Sequence, residues 1–120
     1  MKNKTLVFGA SINPQRYSYL AINRLVNKGI ETVAFGLRKG EVAGVIIDTE
    51  LKKYADIDTV TLYMNASRQV EFYDYIVQLK PRRVIFNPGT ENPEFFKILK
   101  QNNIEVEVAC TLVLLSTNQY

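Results

Sequence analysis

Histidine is absent from the 120 residues, and with it go the usual general base at neutral pH, the commonest metal ligand and any phosphohistidine chemistry. Cysteine occurs once, as Cys110, so no internal disulfide can form and a disulfide-stapled secreted scaffold is excluded. No apolar run approaches the ~20 residues that cross a bilayer. The opening Met1, Lys2, Asn3 and Lys4 lead straight into an apolar segment without the longer apolar region of a signal peptide. A cytoplasmic protein with no membrane association is expected. The formal charge is only +3, and basic residues gather in nothing larger than the pairs Arg38 and Lys39, Lys52 and Lys53, and Arg82 and Arg83. Dispersed pairs of this kind read as solvated surface, and no nucleic-acid partner is expected.

What remains is an ordinary globular composition. Hydrophobic residues make up 47% and charged residues 22%, enough for one core. A chain of this length forms a single domain over residues 1–120 and leaves no room for separate cofactor and substrate domains.

The informative stretch is residues 5–18. Leu6, Val7 and Phe8 form a short apolar run that suits a strand buried on both faces, as in parallel sheets covered by helices. Gly9 breaks the run and allows a tight turn with close approach of a ligand. A helix starting between Pro14 and Tyr17 would aim its unpaired N–H groups and positive dipole end back at that turn, an arrangement suited to a pyrophosphate.

Along the chain, Ala21, Ile22, Leu25 and Val26 fall on one helical face over residues 16–28, and Lys28 and Gly29 close it. A strand at 32–35 ended by Gly36 completes a βαβ unit with parallel strands. Residues 37–44, with two glycines and no helical period, read as a loop. Residues 45–47 suit a short edge strand, 51–54 one helical turn, and 58–63 a third main strand.

Asn65 is placed to cap a helix whose apolar face would be Ala66, Val70, Tyr73 and Val77, ended by Pro81. A buried strand over 83–87 leads to the turn at Pro88 and Gly89, and Asn92 with Pro93 and Glu94 starts a helix with Phe95, Phe96, Ile98 and Leu99 on its apolar face. Asn102 or Asn103 can take the left-handed closing position. Residues 105–109 alternate charge with valine, the habit of an edge strand, and 111–115 form a short final helix. The expected architecture is α/β, a Rossmann-like three-layer sandwich around a mostly parallel five- to six-stranded sheet.

In such a sheet ligands bind at the carboxyl ends of the strands, near the point where strand order reverses. The loops there hold Gly9, Ala10, Ser11 and Pro14 after the first strand; Gly36, Arg38 and Lys39 after the second; Tyr63 and Asn65 after the third; Asn87, Pro88, Gly89 and Thr90 after the fourth; and Cys110 after the last. Five polar loops on one edge favour a nucleotide ligand over turn chemistry alone. The full G-x-G-x-x-G pattern is missing, since Ala10 and Ser11 follow Gly9. Where an NAD site keeps an acid for the ribose hydroxyls, this chain has Gly36, Leu37, Arg38 and Lys39, which suits an extra ribose phosphate. The 2′-phosphate of NADP and the 3′-phosphate of coenzyme A both answer that description.

Gly9, Ala10 and Ser11 with Pro14, Arg16, Tyr17 and Ser18, the turn from Asn87 to Thr90, and the ending Ala109, Cys110, Thr111 together resemble the small stand-alone CoA-binding domain proteins of bacteria. These are similar to the N-terminal domain of the succinyl-CoA synthetase α subunit. The resemblance covers nearly the whole chain. It implies a Rossmann-like fold that binds coenzyme A or an acyl-CoA, with the turn at Gly9, Ala10 and Ser11 and the Arg16 side chain at the diphosphate, and Arg38 or Lys39 at the 3′-phosphate. Tyr63, Asn65 and the 87–90 loop would flank the remainder.

The end of the second strand departs from the family, many of whose members carry an asparagine-proline turn there. The ligase domains and phosphorylated histidine of the synthetase are absent, so its reaction is not implied. The expected function is non-catalytic CoA binding. The alternative is an NADP-dependent or other nucleotide-using enzyme, for which Tyr17, Tyr63 and Glu91 are possible acids or bases that read more simply as structural or surface groups. A third reading is a regulatory module whose protein partner the sequence does not identify. Cys110 reads first as a small buried hydrophobe, and its position at the ligand edge also suits a mixed disulfide with the CoA thiol.

Overall fold

The computed structural model describes residues 3–120. Seven strands form one sheet in the order β3-β4-β2-β1-β5-β6-β7. The five strands β1 (Thr5–Ala10), β2 (Thr32–Gly36), β5 (Thr59–Leu62), β6 (Arg83–Phe86) and β7 (Glu105–Val108), together with β4 (Val45–Asp48), run parallel, and only β3 (Gly40–Val42) is antiparallel to its neighbour. Strand order reverses at β1. The chain moves outward through β2 on one side and returns to β5 on the other.

Continuous apolar runs account for the centre of the sheet. Leu6, Val7 and Phe8 have no exposed surface, because helices cover both faces. On one side α1 (Tyr17–Asn27) and α5 (Thr111–Ser116) bury Ile22, Leu25 and Leu115 against Val7, Ala34 and Ile47. On the other, α3 (Tyr73–Leu79) and α4 (Pro93–Gln101) bury Tyr73, Ile76, Phe95 and Leu99 against Leu6, Phe8, Val60 and Phe86. Phe86 meets the edges of Phe95 and Phe96 at ring separations of 5.8 and 4.7 Å, a favoured aromatic geometry. The three-layer sandwich is as expected. Among the described residues no helix is long and apolar enough to cross a membrane.

Four expectations change. The sheet has seven strands because residues 37–44 are not all loop: β3 and β4 form a hairpin whose two turn residues, Ala43 (φ 51°) and Gly44 (φ 82°), both lie in the left-handed region. That conformation matches the strand twist of a two-residue hairpin, and it makes β3, rather than β4, the edge. Residues 51–54 form no helical turn.

The helix after Asn65 is divided into α2 (Ala66–Gln69), a 3-10 turn (Val70–Phe72) and α3. Its buried positions are Gln69, Tyr73 and Ile76, while Val70 is exposed. The tighter turn rotates the face, and Gln69 is buried because its amide donates to the carbonyls of Met64 (2.9 Å) and Thr90 (2.8 Å).

Finally, Arg82 and Arg83 are not a solvated pair. Arg83 is buried under the last residue, its guanidinium 4.5 Å from the Tyr120 ring centroid, and it donates to Thr59 Oγ1 (2.9 Å) and Glu107 Oε1 (2.8 Å). A buried guanidinium needs such partners, and alternation along β6 points residue 83 to the α5 face.

Candidate functional site

The strand reversal lies between β1 and β5, and their carboxyl ends are held close there. The Tyr63 amide donates to the Phe8 carbonyl at 2.8 Å. Gly9 has φ +100°, and a Cβ on it would sit 3.0 Å from the Tyr63 carbonyl carbon. Glycine is needed on both counts. One residue on, Ala10 pairs with Gly36 after a bulge in β1, and a Cβ on Gly36 would lie 2.2 Å from the Ala10 carbonyl oxygen. Gly9 and Gly36 thus fix the rim of one crevice by close backbone approach.

The turn beyond Ala10 is shaped by its own side chains. Ser11 Oγ accepts from the Asn13 amide and Asn13 Oδ1 from the Gln15 amide, both at 3.0 Å. Pro14, Arg16 and Tyr17 are exposed. Arg16 is the N-cap residue of α1 in extended conformation, and no side chain caps that helix. By contrast α2 is capped by Asn65, which accepts from the Arg68 amide (3.1 Å), and α4 by Asn92, which accepts from the Phe95 amide (3.3 Å). Of the first amides of α1, those of Tyr19 and Leu20 donate to the Arg16 carbonyl (3.1 and 3.4 Å), and those of Tyr17 and Ser18 have no partner among the described residues.

Arg38 and Lys39 follow β2 on the surface, and neither makes an ion pair among the described residues.

On the other side of the reversal the side chains turn inward. Asn87 is buried: its Nδ2 donates to Thr61 Oγ1 (2.7 Å) and the Leu62 carbonyl (2.9 Å), and its Oδ1 accepts from the Thr111 amide (2.8 Å). Thr90 is also buried, with its hydroxyl on the Asn87 carbonyl at 2.8 Å. Pro88 and Gly89 stay exposed at the tip, where the Gly89 amide donates to Glu91 Oε1 at 3.0 Å.

The Tyr63 hydroxyl is buried without a hydrogen-bond partner among the described residues. Thr61 and Thr111 lie nearby but bond to each other at 2.8 Å. Burial pushes the Tyr63 phenol up to about 12, partly offset by those two hydroxyls. Cys110 is half-buried at the N-cap of α5, within electrostatic reach of Tyr63.

The sixteen residues singled out in the sequence lie at the carboxyl edge, in its loops or at the strand and helix ends that border them; Asn87 and Thr90 spend their side chains inside the protein, and Tyr63 buries its hydroxyl. Three residues of that edge carry no signal in the sequence: Asp48, Lys52 and Tyr54. Asp48 closes β4 beside Phe35 of β2 and is held by Lys52 and Tyr54. Lys52 and Tyr54 lie in the segment expected to be a helical turn and Asp48 just past the expected edge strand at 45–47, so their convergence depends on the β3–β4 hairpin. Two other concavities, of about 330 and 200 Å³, lie at the opposite edge, the first against Pro81 and Ile104 and the second against Ile30 and Tyr120. They adjoin strand amino ends, where each holds a single lysine, Lys80 in the first and Lys28, bonded to Asn118 Oδ1, in the second, and no free helix N-terminus, so the crevice at β1 and β5 is the candidate site on chemical grounds.

Comparison with known proteins agrees with this fold. A crystal structure of an uncharacterized protein is 48% identical, covers 100% of this chain and 99% of its own, and superposes with a TM-score of 0.97. A Thermus thermophilus structure, cell-free ID.343, is 21% identical over 99% of this chain and 91% of that one, with a TM-score of 0.85. A hypothetical protein from Pyrococcus horikoshii OT3 is 21% identical over 97% of this chain and 83% of that one, with a TM-score of 0.86. The last two likenesses are of fold. A search of the curated proteins returned no match. The family described as CoA binding domain matches residues 3–116, almost the whole chain, and the protein belongs to that family of CoA-binding, Rossmann-like domains.

Proposed function

We propose that this protein binds coenzyme A or an acyl-CoA across the carboxyl edge of its sheet and does so without catalysis. The observation that carries the reading is the junction of Gly9 with α1: a positive-φ glycine turn facing a helix whose N-terminus no side chain caps. Open N–H groups and the positive end of the helix dipole are the complement of a diphosphate, and Arg16 adds a full charge beside them. Arg38 and Lys39, without acidic partners, suit the 3′-phosphate. Tyr63 and Asn65 on one side and Pro88 and Gly89 on the other flank the remainder of the ligand, while Asn87 and Thr90 hold that loop in shape.

Binding rather than turnover is favoured by the state of the possible acids and bases. Glu91 is engaged by the Gly89 amide, and the Tyr63 hydroxyl is buried with its acidity suppressed. The ligand is a small-molecule nucleotide in a cytoplasmic setting. Calorimetry with CoA, acetyl-CoA and NADPH tests the reading: saturable heat with the CoA compounds supports it, and binding of NADPH in preference would replace it with a nucleotide-using enzyme.

A further inference from the structure

Asp48 stands where it could spoil a phosphate site. In the β3–β4 hairpin Gly40 pairs with Ile47, so the next facing pair outward is Lys39 with Asp48; on its other side, Asp48 aligns with Phe35 at the end of β2. An acid beside the end of that strand is the usual partner of unphosphorylated ribose hydroxyls. Free, it would pair with Lys39 and repel an anion.

It is not free. Lys52 Nζ lies 2.9 Å from Asp48 Oδ1, and the Tyr54 hydroxyl donates to Oδ2 at 2.5 Å. The carboxylate side chain retains 14% of its surface. The Tyr75 hydroxyl donates to the Lys52 carbonyl and ties this segment to α3. Burial alone would raise the Asp48 carboxyl, but the bonds from Tyr54 and Lys52 outweigh it and hold the group ionised, below the usual carboxylate range. Lys39 is close enough for its charge to act in the same direction, yet it forms no ion pair with Asp48.

We propose that Lys52 and Tyr54 are specificity-determining positioning residues which, by occupying both oxygens of Asp48, leave the Lys39 ammonium to a ribose phosphate. The inference rests on the CoA-binding reading above and names what sets its preference for a phosphorylated ribose. The charges at this corner then sum to an ion pair, Asp48 with Lys52, plus the two unpaired cations Arg38 and Lys39. Removing Lys52 takes away the counter-ion of Asp48, and removing the Tyr54 hydroxyl frees one of its oxygens; either change draws Lys39 to the carboxylate and away from the ligand phosphate.

Affinities for CoA and dephospho-CoA, measured by calorimetry on the intact chain, test the proposal in the unaltered protein and in K52M, Y54F, D48N and K52M/D48N. The unaltered protein should prefer CoA. K52M should lower that preference by about three- to tenfold, the scale of one partly screened charge pair, and Y54F should lower it by less, because Lys52 still pairs with Asp48. The affinity for dephospho-CoA should stay nearly constant, and K52M/D48N should recover the preference, which loss of loop structure would not allow. D48N alone should not lower it.

If CoA binds but its preference over dephospho-CoA is the same in all variants, or K52M and Y54F weaken both ligands equally without rescue, the proposal fails and CoA binding stands. If the unaltered protein binds neither compound, or binds both alike, the ligand reading or its 3′-phosphate element fails first. That result is visible without any variant.

Discussion

The Asn87 side-chain oxygen accepts a hydrogen bond from the backbone amide of Thr111 at 2.8 Å, joining the end of β6 to the start of α5 across the candidate site. With its two donated bonds, to Thr61 and Leu62, the amide satisfies three groups at once, two on β5 and one on α5. N87A would orphan the Thr111 amide and the Leu62 carbonyl, each buried group costing about 1–3 kcal/mol when unsatisfied. N87D should cost at least as much, because a carboxylate cannot donate to Leu62. Urea denaturation should show both losses, and an N87A midpoint equal to that of the unaltered protein would contradict this role.

Gly9 predicts a local effect. An alanine there must adopt φ +100° and press its Cβ to 3.0 Å from the Tyr63 carbonyl carbon. Strain of this kind costs about 1–3 kcal/mol, and because the strained bond lies at the rim of the crevice, G9A should also weaken CoA binding. Gly29 is the control: its φ is +75°, but nothing lies within 4 Å of a Cβ there. G29A should therefore cost stability through backbone strain and leave the relative affinities for ligand untouched.

The buried Tyr63 hydroxyl has no partner to lose. Y63F removes an unsatisfied polar atom at nearly constant volume, so stability should hold or rise by up to about 1 kcal/mol. A large loss in thermal unfolding would show that the hydroxyl is bonded in solution. An unchanged melting temperature with weakened CoA affinity would assign the hydroxyl to the ligand.

Asp58, with Asp48, shapes the acid limb. Burial would raise its carboxyl, but hydrogen bonds from Arg82 (2.9 and 3.1 Å) and Thr59 (2.7 Å) outweigh that and keep it below the usual carboxylate range. A carboxyl whose folded pKa is depressed stabilises the protein fully above its unfolded value of about 3.9, and that stabilisation is lost as pH falls through the folded value. The urea midpoint should be insensitive to this group from neutrality to about pH 5 and fall below about pH 4. In D58N the midpoint should be lower at neutral pH and the acid limb shallower. An acid limb unaltered in D58N would rule out this assignment.

Much of the fold is legible because the strands that cross the core are continuous apolar runs and the helices between them carry their own stops: Gly29 after α1, and Asn92 with Pro93 before α4. The loops of the site follow from that alternation alone, since every crossover returns its carboxyl-end loop to one edge. What escapes the sequence escapes for local reasons. β3 depends on a left-handed Ala43, a residue with no turn signature of its own. Gln69 takes a core position because two carbonyls need its amide, so an apolar count misplaces the face. Asn87 at a strand end looks the same in sequence whether its amide meets a ligand or three buried neighbours. Asp48, Lys52 and Tyr54 converge only once the hairpin is formed.

The measurement that bears most directly on the account is titration of the intact protein with CoA, dephospho-CoA and NADPH in one buffer, repeated with R38A/K39A. The account predicts saturable CoA binding, weaker binding of dephospho-CoA, little NADPH binding, and a double variant that loses most of the difference between the first two. No heat with CoA at roughly millimolar concentration, or losses in the double variant equal for CoA and dephospho-CoA, would contradict it.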